Sequence, residues 1–375
     1  MKIYFISKDA GWQKYRLEVL SCLANTYSYN IEILTTGKVK EYIKNNGIIF
    51  YKIFNSLLPQ SFRVSFFPGA IWHIIRKRPD VVLALNNTTQ FTEYLALIVC
   101  RILKIKFVWW THAYDHKAIK NNFVKSLKER YALFFLKKSN TIITFSDKGK
   151  EYLIDKGING NKIFVAKNTI DTDKILLLQK NLKLDKSKLK KQFGYKETDR
   201  ILIFTGRLNK EKKVSHAIRA CNQLKAELPQ LKLVIVGAGE DLIYLKNLVM
   251  ELGATNVQFL GEIYDEELLA KWFTISDLYI MPAYVGLGII HAFCYGLPII
   301  TEFDENHGPE IQYLKNGVNG YMVEKDNIQA LISIIRDIIM DEPTMNSLST
   351  HALETIKNEA DIKTMVSNMN KALSI

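Results

Sequence analysis

The sequence predicts an α/β chain of two doubly wound domains facing a cleft, and three observations predict it. Short apolar runs alternate with segments of helical period through residues 1–170, the pattern of parallel strands joined by crossover helices. The same alternation restarts at Arg200. Within it, residues 278–301 set a strand (LYIM, closed by Pro282), a glycine loop (AYVGLG), a short helix stopped by Gly296 and a second strand directly in series. In open α/β sheets ligands lie beyond the carboxyl ends of the strands, where helix N-termini offer unpaired N–H groups to anions. Gly286 and Gly288 have no Cβ and let a ligand approach the backbone.

The elements follow in order. Residues 2–6 form a first strand, and a Gly11 loop leads to a helix over 13–24 with Tyr15, Val19, Leu20 and Leu23 on one face. Strands are expected at 30–35, 47–53, 80–85 and 106–110, with helices at 66–75 and 92–103. The strand at 106–110 leads into Thr111 and His112. Two more strands, 141–145 and 162–165, flank a helix over 148–156. The first domain is therefore placed at 1–170, and a lysine-rich linker and connecting helix at 171–199. The second domain, 200–355, carries strands at 201–205, 231–236, 257–260 and 278–281 between helices near 214–227, 241–253 and 265–275. Amphipathic helices at 328–340 and 345–372 close the chain, and the last stretch, 356–375, is expected to pack back on the first domain.

Composition narrows the classes. A 48% hydrophobic chain of 375 residues suits two ordinary globular domains. Its four cysteines are far apart, with no C-x-x-C pair, so neither zinc nor a disulfide framework is indicated. The apolar run at the N-terminus is too short for a signal peptide, and no stretch approaches the roughly 18 apolar residues of a membrane span. A cytoplasmic chain is expected. Residues 1–170 hold 27 Lys and Arg against 11 Asp and Glu, net +16, whereas residues 171–375 are at −3. A basic half beside a near-neutral half points to an anionic partner, whether nucleic acid, an acidic membrane surface or a phosphorylated substrate.

The second domain opens with IFTGRLNKEKK between a strand and a helix start, which aims Arg207 and Lys212 at the mouth of a nucleotide cleft. A departing pyrophosphate needs such charge as its bond breaks. From here the segments LKLVIVGAGED, VQFLGEI, LYIMPAYVGLGIIHAF, YGLPIIT and GPEIQYLKNGVNGYMV follow in fixed order. Together they resemble the nucleotide-sugar half of GT-B glycosyltransferases of the retaining family 4. The first half resembles that family's acceptor domain more loosely, through the Gly11 loop, Trp110-Thr111-His112 and Lys167 to Asp171. The resemblance implies two Rossmann-like domains, a donor diphosphate gripped by Arg207 and Lys212, and Gly11 on the loop closing over it.

The departures are specific. Family members usually carry two glutamates around the glycine loop. Here His291 stands in the place of the second, and Ala283 or Val285 in that of the first. His291 can still bond a ribose hydroxyl, and the sugar contact falls to the backbone N–H groups of Leu287 and Gly288 or to Glu310. A subset of the family shares the G-L-x-x-x-H and P-E pattern. The resemblance implies a retaining transfer without a covalent intermediate, in which the diphosphate takes the acceptor proton, so His112 is expected to orient sugar or acceptor. Asp115 and His116 beside it make a weak zinc set. Asp171-Thr172-Asp173 mimics a metal-binding D-x-D, but its place at the domain boundary reads as capping and hinge geometry. No metal and no cofactor are expected.

The expectation is a retaining hexosyltransferase at the inner face of the plasma membrane, using a nucleotide-diphosphate sugar and a glycan or lipid-linked oligosaccharide acceptor in surface polysaccharide assembly. Aromatics mixed with cations at 62–78 and 117–138 suit an anionic membrane surface. The alternatives are a non-catalytic sugar-nucleotide-binding or scaffold protein, motivated by the missing glutamates, and a sugar-nucleotide epimerase. A nucleic-acid-binding protein is disfavoured for want of a reading motif.

Overall fold

The computed structural model describes residues 1–7, 14–35, 48–52, 66–86, 90–113, 122–182 and 185–375. Gly11, Asp115 and His116 lie outside them. The chain forms two compact units, Met1–Asp171 with Ile362–Ile375, and Thr172–Asp361.

The first unit begins with β1 (Lys2–Ser7), α1 (Lys14–Tyr27), β2 (Asn30–Thr35), β3 (Ile49–Lys52), α2 (Pro68–Lys77), β4 (Val81–Ala84) and α3 (Phe91–Leu103). It continues with β5 (Lys106–Thr111), α4 (Asn122–Lys138), β6 (Thr141–Thr144), α5 (Asp147–Asp155) and β7 (Ile163–Val165). The strands pair in parallel in the order β3-β2-β1-β4-β5-β6-β7. Cores on both faces explain why they read as continuous apolar runs. On β5, Phe107 and Trp109 enter the core covered by α2 and α3, and Val108 and Trp110 the one covered by α1.

The second unit contains α6 (Thr172–Leu182), α7 (Lys186–Gln192), β8 (Arg200–Thr205), α8 (Val214–Leu224), β9 (Leu231–Val236), α9 (Leu242–Leu252) and β10 (Val257–Gly261). After them come α10 (Glu266–Ile275), β11 (Leu278–Ile280), α11 (Gly288–Cys294), β12 (Ile299–Glu302), β13 (Gly320–Val323), α12 (Ile328–Met340) and α13 (Glu342–Thr355). This sheet is also parallel, in the order β10-β9-β8-β11-β12-β13. The order reverses between β8 and β11, so the loops after these two strands open side by side at the switch point.

Three features differ from the sequence expectation. The stretch expected as a separate linker with its connecting helix belongs to the second unit, with α6 packed on α10 and α11, and α7 on α10. The long final helix is broken: a π turn, Ile356–Ala360, and an extended Asp361 separate α13 from α14 (Ile362–Ser374), which moves the last boundary from 356 to 362. Ile362, Met365, Val366, Met369 and Leu373 then form one apolar stripe in the core beside α1. Lastly, α4 occupies a stretch whose aromatic and cationic content hid its helical period.

Candidate functional site

The site is built from backbone approaches that only glycine permits. Gly237 and Gly239 bring the loop after β9 against the loop after β8. A Cβ at 237 would lie 1.9 Å from the Gly206 carbonyl, and one at 239 would lie 2.1 Å from that of Leu208. Backbone bonds stitch the two loops, Gly206 N–H to Val236 O (3.0 Å) and Leu208 N–H to Ala238 O (2.9 Å). The result is an open cavity of about 540 Å³ lined by Thr205, Gly206, Arg207, Gly237, Glu262 and Tyr264. Arg207 projects from its rim with its side chain 73% exposed, 3.3 Å from Glu240.

Lys212 has a different setting. It lies in a 3₁₀ turn before α8 and donates to the Tyr284 carbonyl at 2.6 Å, with its ammonium 4.7 Å from the Tyr284 ring centre. Burial brings this ammonium down to about 8, against the opposing charges of Glu310 and Glu211. Tyr284 itself is left-handed, φ +49°. Its loop is fastened by His307, whose Nδ1 accepts the Val285 N–H at 2.9 Å while Nε2 donates to the Glu302 carbonyl at 2.9 Å. These bonds fix one neutral tautomer, and burial holds the imidazole below its ordinary value. Gly308 donates to Val285 O at 2.8 Å, and a Cβ there would meet the buried Glu310 carboxylate at 2.4 Å.

Gly286 and Gly288 serve separate ends. Among the described residues a Cβ on Gly286 would meet nothing within 4 Å. Gly288 starts α11 over the buried Tyr279, whose hydroxyl would be 2.2 Å from an added Cβ and lies 3.2 Å from Thr205 Oγ1. Leu287 stands at the N-cap position of the helix without a side-chain cap. One turn on, His291 stacks on Phe273 (4.5 Å, 5°) and on Tyr295 (5.7 Å, 26°). In the first unit, His112 follows the carboxyl end of β5, exposed, with its ring 4.4 Å from Phe145.

A second polar cluster anchors these loops from behind. Glu302, fully buried at the end of β12, accepts from His216 Nδ1 (2.5 Å), Lys213 Nζ (3.3 Å) and the Asp326 N–H (3.0 Å). Burial pushes its carboxyl up, but these donors outweigh that and hold it below its ordinary value. Among the described residues His216, Glu302 and Asp326 have metal-ligand geometry, their ligand atoms within 4.8 Å of one another. Lys213 already bridges the two carboxylates.

Comparison with known proteins follows the same two halves. Residues 17–174 match the model of Glycosyltransferase Family 4, and residues 185–355 that of Glycosyl transferases group 1. The chain is a glycosyltransferase of the family 4 type. An uncharacterized glycosyltransferase of Methanocaldococcus jannaschii is 24% identical over 98% of this chain and 95% of its own. The poly(glycerol-phosphate) alpha-glucosyltransferase of Bacillus subtilis is 30% identical over 40% of this chain, 22% of its own. Among solved structures, Anabaena HepE in complex with UDP superposes with a TM-score of 0.79 at 20% identity over all of both chains, a likeness of GT-B fold.

Set in this glycosyltransferase, the sequence candidates divide. Lys212, Gly286 and Glu310 gather around the Tyr284–Val285 backbone, and Gly288 and Leu287 set the start of the adjoining helix. Arg207 lines the neighbouring cavity and is paired with Glu240 rather than with Lys212's partners. His291 joins an aromatic stack. Sequence reasoning missed His307, Glu302, Lys213 and His216, which hold the loops from behind. Only the His-Gly-Pro-Glu run hinted at His307, and nothing local marks a contact such as His216 to Glu302, 86 residues apart.

Proposed function

We propose that this enzyme transfers a hexose, with retention, from a nucleoside diphosphate donor bound in the second unit to a glycan acceptor received by the first. The acceptor is lipid-linked, and the setting is surface polysaccharide assembly at the inner face of the plasma membrane. The observation that carries this reading is Lys212, a half-buried ammonium held on the Tyr284 carbonyl next to Gly286 and Glu310. A low-dielectric cation of this kind stabilises the charge that develops on a departing diphosphate.

Arg207 reaches the same phosphates from the cavity rim, the Gly206–Gly239 cavity takes the nucleoside, and Glu310 accepts from a sugar hydroxyl. His291 presents its ring edge to the ribose. His112, at the carboxyl end of β5, orients the acceptor, and the departing phosphate oxygen takes the acceptor proton. With two cations on the leaving group no metal and no cofactor are called for. Complexes of HepE with UDP and UDP-glucose support a uridine donor as the first to try. The Bacillus relative, an alpha-glucosyltransferase on a phosphate-bearing polymer by its name, supports a retained linkage and a polyanionic acceptor class.

Membrane attachment is supported by the net +16 of residues 1–170 and by exposed Trp72, Ile98, Ile102 and Phe134 on α2, α3 and α4. Among the described residues no helix is long and apolar enough to cross a membrane. The test is turnover of UDP-, GDP-, ADP- and dTDP-hexoses in EDTA, with the anomeric configuration of the product read by NMR. One donor consumed without metal and a retained linkage are expected. Inversion, or dependence on a divalent cation, would remove the mechanism.

A further inference from the structure

The first unit carries a second basic site at the end of its sheet opposite His112. Where α3 and α4 end and β5 and β6 begin, Arg101, Lys104, Lys138, Ser139, Asn140 and Lys162 line a pocket of about 350 Å³. Four of these six are cations and none is a carboxylate. In the same unit Lys2 is paired with Glu32 (3.1 Å) and Lys156 with Glu129 (2.8 Å). Among the described residues none of the four has such a partner. Two of the heads are instead fixed by carbonyls of the α4 terminus, Arg101 on Lys138 O (2.7 Å) and Lys162 on Lys137 O (3.2 Å).

Cations do gather at helix C-termini to balance the dipole, but two helix ends supply roughly one negative charge between them against four positive ones. The excess shows at Lys162, held below its ordinary value by burial and by the charge of Arg101. An uncompensated cluster of this kind calls for phosphate oxyanions.

The pocket's neighbours specify the source of that anion. Ile98 and Ile102 on α3 are 46% and 74% exposed, and Phe134 on α4 is 57% exposed beneath the Lys138 ammonium, 5.6 Å from its ring centre. A dissolved anion gains nothing from apolar side chains in water. A lipid does, because cations meet headgroups while apolar groups enter the acyl boundary. We propose that this pocket binds the headgroup phosphate of an anionic lipid and docks the α3–α4 face of the first unit on the membrane. This rests on the membrane-peripheral reading given above and names the element that would carry it.

The test is sedimentation of the full chain with phosphatidylcholine vesicles with and without phosphatidylglycerol, comparing wild type, the Lys104→Glu, Lys138→Glu double variant and Ile102→Ser. Donor turnover in solution serves as the folding control, since none of these residues belongs to the donor site. Wild type is expected to bind only the anionic vesicles, the double variant at least about tenfold more weakly, and Ile102→Ser to lose vesicle binding while keeping any binding of glycerol phosphate. A double variant that binds anionic vesicles like wild type overturns the pocket and leaves membrane attachment standing. Wild type indifferent to anionic vesicles overturns both. Glycerol phosphate bound without vesicle binding would make this a free-anion site, contrary to the proposal.

Discussion

Raising the pH should weaken donor capture through Lys212. Burial brings its ammonium down to about 8, and kcat/KM follows ionisations of the free enzyme. Such a group is roughly 90% charged at pH 7 and roughly 9% charged at pH 9, so kcat/KM for the donor should fall about tenfold between them. At saturating donor kcat should hold to higher pH, because a bound diphosphate favours the charged form. Unfolding through this group is not a rival cause. Its folded value lies below the ordinary 10.5, so across that interval the unfolded chain binds more protons and stability rises with pH. The assay is initial rate at sub-saturating donor from pH 6.5 to 9.5 (a range set by roughly 1.5 pH units either side of that value) for wild type and Lys212→Met. The variant should be about 10- to 150-fold slower at pH 7, the loss of one charged hydrogen bond, and should lack the alkaline limb. A flat wild-type profile, or the same limb in Lys212→Met, refutes the reasoning.

Other consequences are open to measurement. Gly288→Ala places a Cβ 2.2 Å from the Tyr279 hydroxyl, which should cost about 1–3 kcal/mol of stability and raise the donor KM; Tyr279→Phe should recover part of the loss in calorimetry. Glu302→Ala leaves Lys213 and His216 without their buried acceptor and should cost about 3–5 kcal/mol in urea unfolding. Acidification should loosen the Val285 loop. His307 is held below its ordinary 6.5, so its contribution is complete above that pH and fades as pH falls toward the folded value. The drop in Tm from pH 7 to pH 5 should therefore be smaller in His307→Gln than in wild type.

Much of the fold was legible because parallel strands buried on both faces are written as short apolar runs, as in KFVWWT, and because glycines mark the close approaches at 237, 239 and 288. The stripe from Ile362 to Leu373 likewise declares a buried helix. What sequence did not disclose are features set by long-range contact. The π turn at Ile356–Ala360 falls inside a stretch of unbroken helical period, and α4 hides its period among cations. Lys212 stands in a motif that sequence reads for diphosphate binding, but its partner is a carbonyl 72 residues away. Arg207 and Lys212 read as one pair in sequence, yet different neighbours hold them. His291 looked like a glutamate substitute, and only the structure reveals its stack on Phe273.

The most direct measurement is equilibrium binding of UDP by calorimetry, in EDTA, to wild type, Lys212→Ala and the Lys104→Glu, Lys138→Glu variant. One saturable site is expected in wild type, weakened at least about tenfold by Lys212→Ala and unchanged by the distant double variant. UDP bound equally well by Lys212→Ala, or bound only when a divalent cation is supplied, would contradict a donor site organised around Lys212.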